Sequence, residues 1–367
     1  CYSHAFHLDL MRGVKRAPFW IMEQLSGGLG SWAPMAHTTQ PGMISGYALQ
    51  AFAHGADTVV HFRWRTANIG AEMHWHGLID HSNVPGRRFE EFSDLCRIAR
   101  QLEPVAGAPI RADVAILLSF DSEYAFKLQP QSNGYYYLEQ LQRLHRAFGA
   151  LGLNVDVIGQ HESLDGYRIV CAPEMYVTDE TVAERLCRFA ENGGTVILTA
   201  RSGVKDVSNN AVMQPLPGVY RALAGAWVTE YDPLGYDRTT LEMEDGSTFS
   251  CSRWCDVLRT EHAEPVARHA GGFFRGEAAV TRNVYGSGIA YYIGTVGEQA
   301  LYDRIARMAA QEAALPVIEG LPANVEVTTR ATPAGDVRFV FNNNAAPCTF
   351  LWQGSELTLA PFEMHIG

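Results

Sequence analysis

The 367 residues are 47% hydrophobic and 19% charged, with a net charge of −11 at pH 7; this is ordinary globular composition in a chain long enough for two or three domains. The acidic balance carries no basic block and no Lys/Arg stripe interleaved with aromatics, which argues against nucleic acid and against anionic membrane surfaces as partners. No apolar stretch approaches the roughly eighteen residues of a membrane span, and the opening segment, with His4, His7, Asp9 and Arg12, lacks a signal-peptide core. The seven cysteines are odd in number and dispersed, which reads as a reducing, cytoplasmic setting rather than a disulfide scaffold.

Residues 1–15 carry a loosely helical pattern. The run "PFWIM" (18–22) reads as a strand that delivers Glu23 to the start of a glycine-rich loop extending through Trp32. Pro41 opens a helix with Ile44, Tyr47, Ala48 and Phe52 at helical spacing, stopped near Gly55. "DTVVHFRWR" (57–65) predicts a strand, and Arg88 to Pro104 a helix with Phe89, Phe92, Leu95, Ala99 and Leu102 on one face. Strand, helix, strand, helix is a pair of βα units. A (β/α)8 barrel takes roughly 250 residues, so as barrel units these would be its end, with most of the barrel upstream of residue 1.

A second region begins near residue 108. "ADVAILLS" predicts a buried strand, "YYYLEQLQRLHRAFGALG" a helix with a glycine stop, and "NVDVIG" and "YRIVCAP" two further strands. "TDETVAERLCRFAENGG" reads as a helix capped by Thr178 or Asp179 and closed by Gly193, and "TVILTA" as a strand. Continuous apolar strands alternating with amphipathic helices imply a parallel, doubly wound sheet. Residues 201–300 read as irregular, apart from a strand pair around "AAVTRNVYGSGIAYYIGT" turned by Gly286 and Gly288. After Pro316, short alternating strands broken by Pro-Ala-Gly, Asn-Asn-Asn and Gly predict a small antiparallel sandwich. The fold class is thus α/β throughout most of the chain, with domains at 1–105, 106–316 and 317–367.

Among residues able to carry chemistry, Glu23 stands one step past an apolar strand, where the carboxyl ends of parallel strands face an active site in barrels. A solvated loop glutamate is the alternative on this feature alone. Trp32, in "GSWAP", has the character of a loop tryptophan that stacks on a sugar face, although simple packing also accounts for it. The segment "FRWRTANIGAEMHWHGLIDHSN" gathers Arg63, Arg65, Glu72, His74, Trp75, His76, Asp80 and His81, too many polar and aromatic groups for a plain connector. "HWH" sends its two imidazoles to opposite sides of an extended chain, so hydrogen bonding to hydroxyls suits the segment better than a metal. "CSRWC" (251–255) lacks a second ligand pair at zinc-like spacing. Cys171 ends a strand without the flanking glycines of a nucleophile elbow and reads as a buried small residue. No phosphate-cradling glycine loop follows the first strand of the second region.

Together "FWIMEQ", "WAP" (32–34), "PGMISGYALQAFAHGADTVVHFRWR", "GAEMHWHGLIDH" and "RRFEEFSDLCRIARQL" resemble the last two βα units of the β-galactosidases of glycoside hydrolase family 42. The rest resembles that family's order of domains. The resemblance implies the end of a TIM (β/α)8 barrel, then a flavodoxin- or glutamine-amidotransferase-like trimerisation domain, then a small β-sandwich. It implies a retaining glycosidase acting on β-galactosides or oligosaccharides, a homotrimer and no cofactor. By position it assigns the catalytic nucleophile to Glu23, a wall of the galactose subsite to Trp32, the aromatic at the eighth barrel strand to Phe62, and a grip on sugar hydroxyls to Glu72. Where members often carry a histidine three residues after that glutamate, this chain has Trp75, flanked by His74 and His76, either of which could take over sugar contact. The family's acid/base is the glutamate of an Asn-Glu pair, and no Asn-Glu dipeptide occurs in this chain; Glu191-Asn192 is the reverse order, in the second region. The implied reading is therefore the C-terminal portion of a longer enzyme, inactive alone, with a noncatalytic oligomerisation module or inactive fragment as the alternative. The zinc-binding cysteine cluster that some members carry earlier in the barrel has no counterpart here.

Overall fold

Helix α1 (Tyr2–Gly13) leads into strand β1 (Phe19–Leu25), helix α2 (Met43–Ala53), strand β2 (Ala56–Phe62) and helix α3 (Arg87–Gln101). The computed structural model describes residues 2–30 and 34–367. β1 and β2 are parallel neighbours joined through α2, the crossover that parallel pairing requires. Phe19 and Ile21 pack with Leu8, Ala51, Ala56 and Val59, so one face of β1 is covered by helices. Trp20 and Met22 are 65% and 67% exposed. The apolar run of β1 thus has only one face buried within this chain. The strand also continues beyond its sequence-predicted end at Met22. Gln24 and Leu25 pair with His61 and Phe62 after a register shift, which keeps Glu23 inside the strand.

The second unit, residues 112–317, is built on one ten-stranded sheet. Its strands and helices run β3 (Val114–Leu118), α4 (Phe120–Leu128), α5 (Tyr137–Gly149), β4 (Val155–Gly159), β5 (Ile169–Ala172), α6 (Glu180–Glu191), β6 (Thr195–Thr199), α7 (Arg221–Ala224), β7 (Ala226–Met243), β8 (Thr248–Thr260), β9 (Glu264–His269), β10 (Ala278–Tyr285), β11 (Gly288–Ile293), β12 (Thr295–Gly297) and α8 (Gln299–Glu312). The parallel strands stand in the order β4-β3-β5-β6-β11, winding outward both ways from β3. Ala115, Leu117, Val170, Ala172, Val196, Leu198, Ala290 and Tyr292 share one core with Val182, Leu186 and Ala190 of α6 and Leu223 of α7. By strand alternation the other face belongs to α5, which packs on β3 and against α8. Asp179 caps α6, its Oδ1 accepting from the Val182 N–H at 2.7 Å.

Residues 201–300 depart most from the sequence expectation. Instead of irregular chain with a single strand pair, they form β7 to β12, and β7 alone runs 18 residues. Pro233 and Gly235 lie inside β7 and ordinarily argue against a strand. They fall where the β7–β8 register slips, between Asp232 and Gly235 and between Gly235 and Arg238, so bulges absorb them. The expected pair is present as the β10–β11 hairpin, Tyr285 opposite Gly288 across a two-residue turn. Three helices, α4, the short α7 and α8, also emerge where none was read from the sequence. Ser119 caps α4, its Oγ accepting from the Ser122 N–H at 3.2 Å, and α8 buries Leu301, Tyr302, Ile305, Ala306, Ala309 and Ala310 along one face.

The last strands, β13 (Val325–Thr332), β14 (Gly335–Asn342), β15 (Cys348–Trp352), β16 (Ser355–Leu359) and β17 (Met364–Ile366), form a three-stranded antiparallel sheet, β13-β14-β17, and the hairpin β15-β16. The two sheets close on Val325, Val327, Val340, Phe350, Trp352 and Leu359. These residues group with residues 1–111 in one compact unit, and the alternate face of β13 explains why. Glu326, Thr328 and Arg330, spaced two apart, would read as a solvent face, yet are 5%, 6% and 1% exposed. Thr328 Oγ1 donates to the Ala53 carbonyl at 3.0 Å. Arg330 donates to the carbonyls of Phe52, Ala56 and Ala108 and to Asp57 Oδ1 at 2.8–3.1 Å. The C-terminal carbonyls of α2, which have no partner within the helix, are thereby satisfied by a strand more than 270 residues away in sequence. Glu326 binds His54, Gln50 (2.9 Å) and Asn343 (3.3 Å), and His54 Nδ1 meets Asp9 Oδ1 at 2.7 Å. Burial opposes a charge on His54, but the carboxylates of Asp9 and Glu326 outweigh it and hold its pKa up at about 9.

Candidate active site

Glu23 is exposed on β1. Two residues on, Leu25 stands opposite Phe62, the last residue of β2, and the Ser26 N–H donates to the Phe62 carbonyl at 3.1 Å. The carboxyl ends of the two parallel strands are therefore locked side by side, the end at which α/β sheets place their ligands. The Phe62–Arg63 peptide is cis.

The segment after β2 doubles back on itself. Leu78 and Ile79 N–H groups donate to the carbonyls of Arg63 and Trp64, Thr66 N–H to that of Ile79, and Gly77 N–H to Thr66 Oγ1 at 2.9 Å. A Cβ at Gly77 would lie 2.7 Å from the Arg65 carbonyl carbon, so the fold-back needs glycine there. The returning chain then rests on the loop after β1. His76 N–H donates to the Gly28 carbonyl at 3.0 Å, and a Cβ at Gly30 would stand 2.5 Å from the His74 carbonyl oxygen. Gly30 and Gly27, whose Cβ would lie 2.8 Å from that of His76, are thus needed for close approach, which composition alone does not reveal.

This packing assembles a shell of polar and aromatic groups. Trp75 meets Phe62 edge-on, ring centroids 5.3 Å apart. Arg63 lies over the Phe62 ring at 4.5 Å and donates from Nη2 to both the Glu72 carbonyl (3.1 Å) and Glu72 Oε2 (3.0 Å), fixing the half-buried carboxylate. Arg88 donates from Nε to the Gly77 carbonyl at 3.1 Å and pairs with Asp80 at 3.5 Å. Burial, then the Arg88 guanidinium, lower the pKa of His76. Hydrogen bonds from Ser82 and the Arg88 charge lower that of Asp80. His61, half-buried and edge-on to Phe92 at 5.0 Å, has its pKa lowered by burial against an opposing backbone hydrogen bond at Leu25. Ser26 Oγ, Arg63 Nε and His76 Nδ1 are buried with no hydrogen-bond partner among the described residues, and buried polar atoms in that condition ordinarily have a ligand or water.

Of the residues singled out in the sequence, Phe62, Glu72 and His76 belong to this shell, and Glu23 lies on the strand that it adjoins. His74 is exposed, its ring 6.3 Å from that of His81, and His76 is half-buried against the β1 loop. Trp32 lies outside the described residues. Arg63 and Trp75 were legible only as members of a polar segment; their roles, holding Glu72 and bracing Phe62, depend on the fold-back. Cys171 is fully buried in β5 and its pKa is pushed far up by burial, and among the described residues no three His, Cys, Asp or Glu side chains are grouped to hold a metal. No helix among the described residues is long and apolar enough to cross a membrane.

Two families of known proteins match most of the chain up to residue 316. Residues 112–316 match the beta-galactosidase trimerisation domain, and residues 1–102 match a beta-galactosidase family. The chain belongs to the β-galactosidases of glycoside hydrolase family 42 and corresponds to their C-terminal portion. It is 48% identical over 344 residues to beta-galactosidase BgaA of Clostridium cellulovorans, covering 94% of this chain and 52% of that protein. It is 33% identical to beta-galactosidase BglY of Alicyclobacillus acidocaldarius, covering 92% and 51%. The chain thus spans about half the length of the curated relatives that it matches. Among solved structures, the beta-galactosidase from Bacillus circulans sp. alkalophilus superposes with a TM-score of 0.93 at 28% identity, over 100% of this chain and 57% of that one. The beta-galactosidase from Rahnella sp. R3 gives 0.93 at 32% identity, over 100% and 56%.

Proposed function

We propose that this chain is the nucleophile-bearing part of a retaining β-galactosidase, releasing terminal β-D-galactose through a covalent glycosyl-enzyme on Glu23. In such enzymes two carboxyl groups about 5 Å apart divide the work: one attacks the anomeric carbon, the other protonates the departing oxygen and then activates water. Glu23 takes the first role. The second falls to the glutamate of an Asn-Glu pair upstream of this chain. Phe62, Glu72 and Trp32 shape the galactose subsite, and His76 or His74 adds a hydroxyl contact. His76 is the better placed of the two, because its buried Nδ1 has an unmet hydrogen-bonding capacity.

The observation that carries this reading is the set of buried, unsatisfied polar atoms on Ser26, Arg63 and His76 at the carboxyl ends of two parallel strands, beside an exposed glutamate. Sugar hydroxyls are suited to such atoms. The uncovered Trp20 and Met22 face of β1 supports a place for β1 and β2 as the last strands of a (β/α)8 barrel. The proposed domains are the barrel's end (1–105), the trimerisation domain (106–316) and the sandwich (317–367). A homotrimer is supported by the trimerisation family match, and a cytoplasmic address by the odd number and dispersion of the seven cysteines.

The test is hydrolysis of p-nitrophenyl β-galactoside by the chain extended upstream through a complete barrel, beside its Glu23→Gln variant. Activity lost in the variant, with a Glu23→Gly version rescued by azide to an inverted product, supports the nucleophile. Equal rates in the two would overturn it. A second reading, a noncatalytic oligomerisation module or inactive fragment, is favoured by the absence of an Asn-Glu dipeptide, and inactivity of the extended protein would establish it.

A further inference from the structure

Strand β8 contains a second feature that the glycosidase reading does not use. Opposite β12, Cys251 pairs with Gly297, Ser252 with Val296 and Cys255 with Thr295. Four residue steps of β8 therefore span two of β12, and Arg253 and Trp254 are extruded as a bulge, Arg253 at φ 70°. Two steps of a strand measure about 6.6 Å, which puts the two cysteine Cα atoms within the upper range that a disulfide bridges. The side chains meet across the neck of the bulge: the sulfurs stand 3.9 Å apart, both buried.

The bulge is held from both sides. Arg253 donates to the Gly235 carbonyl at 3.0 Å and lies over the Tyr236 ring at 4.6 Å. Trp254 is stacked on Tyr231 at 5.0 Å, lies under the Arg201 guanidinium at 4.4 Å and donates to Asp256 at 2.8 Å. Thr295 Oγ1, donating to the Trp254 carbonyl at 2.7 Å, stands 3.3 Å from Cys255 Sγ. Apart from the Thr295 Oγ1 contact, these interactions involve neither sulfur.

We propose that Cys251 and Cys255 are a dithiol modification site that a two-electron thiol oxidant converts to an intrastrand disulfide, locking the Arg253–Trp254 bulge. The hydrogen bond from Cys255 lowers the pKa of Cys251, so Cys251 reacts first. With a diazene such as diamide, its thiolate adds to one nitrogen and the other nitrogen takes a proton. Cys255 sulfur then attacks Cys251 sulfur, its proton going to the departing nitrogen. One S–S bond forms, two S–H bonds are lost, and the diazene leaves as the hydrazine.

Trypsin separates the two sulfurs, because cleavage at Arg253 yields one peptide of residues 239–253 with Cys251 and another of residues 254–259 with Cys255. The full chain is treated with diamide while folded, alkylated in denaturant and digested without reductant. The expected product is the linked peptide pair, 2 Da below the sum of its parts. It is absent from Cys255→Ser, and in a sample oxidised in denaturant it is one of many linkages. Recovery of both peptides alkylated, while exposed Cys96 in the same sample is modified, overturns the proposal. So does a link from either cysteine to any other in the folded chain.

Discussion

Arg63 binds Glu72 twice from one nitrogen, at the backbone carbonyl and at Oε2, so the loop conformation and the direction of the carboxylate are set by the same guanidinium. In the extended enzyme, Arg63→Ala should therefore lower kcat/KM by about 10- to 100-fold without unfolding the protein, because Glu72 loses its orientation. Steady-state kinetics with circular dichroism as a control checks this. Wild-type kinetics in the variant would detach Glu72 from the site.

Glu23→Gln in that enzyme should cost on the order of 10⁴-fold or more in kcat, since removing one of two coupled catalytic groups abolishes most of the rate. The 367-residue chain by itself should show no Glu23-dependent turnover. A galactosidase activity of the isolated chain that disappears with Glu23→Gln would defeat the assignment of the acid/base to a residue upstream.

The Asp9–His54–Glu326 cluster predicts a pH dependence. His54 has its folded pKa raised from near 6.5 to about 9, so its contribution is complete below pH 6.5 and is lost as pH rises through 9. Two to three units correspond to roughly 3 kcal/mol. Glu326, opposed by burial but held down by His54, works in the other direction: its contribution is present above its ordinary range and is lost in acid. Protection factors in α2 and β13, corrected for the base-catalysed intrinsic exchange rate, should be highest between these limits and fall from pH 6.5 to 9. His54→Gln should flatten the alkaline arm; an unchanged profile in that variant would mean that the imidazole is neutral in the folded chain.

Arg330→Met should destabilise the unit formed by residues 1–111 and 318–367 by about 2–4 kcal/mol, because it removes the ion-pair partner of the part-buried Asp57, which keeps only the Gly107 N–H, and takes a donor from the carbonyls of Phe52, Ala56 and Ala108. Exchange in α2 and β13 reads this directly, and protection equal to wild type would show that the carbonyls find other partners.

Local pattern was enough for much of the chain. Alternating apolar strands and amphipathic helices announced β3, α5, β4, β5, α6 and β6, since each element's burial pattern is written in its own residues. Glu23 and Glu72 were readable as candidate site residues before any geometry, and Phe62 through the family resemblance. Pattern failed where long-range pairing decides the outcome. β7 tolerates Pro233 and Gly235 because β8 supplies bulged partners, and β13 buries Glu326, Thr328 and Arg330 because the end of α2 presents the carbonyls and His54 that they satisfy. Read alone, those three residues specify an exposed face; only the tertiary structure supplies the hydrogen bonds that make their burial favourable. The same holds at the site. The sequence determined which polar groups were available after β2, whereas the fold-back over Gly77 and the close approach at Gly30 decided that Arg63 would hold Glu72 and that His76 would face the loop after Glu23, because backbone contacts between distant segments leave no trace in local periodicity.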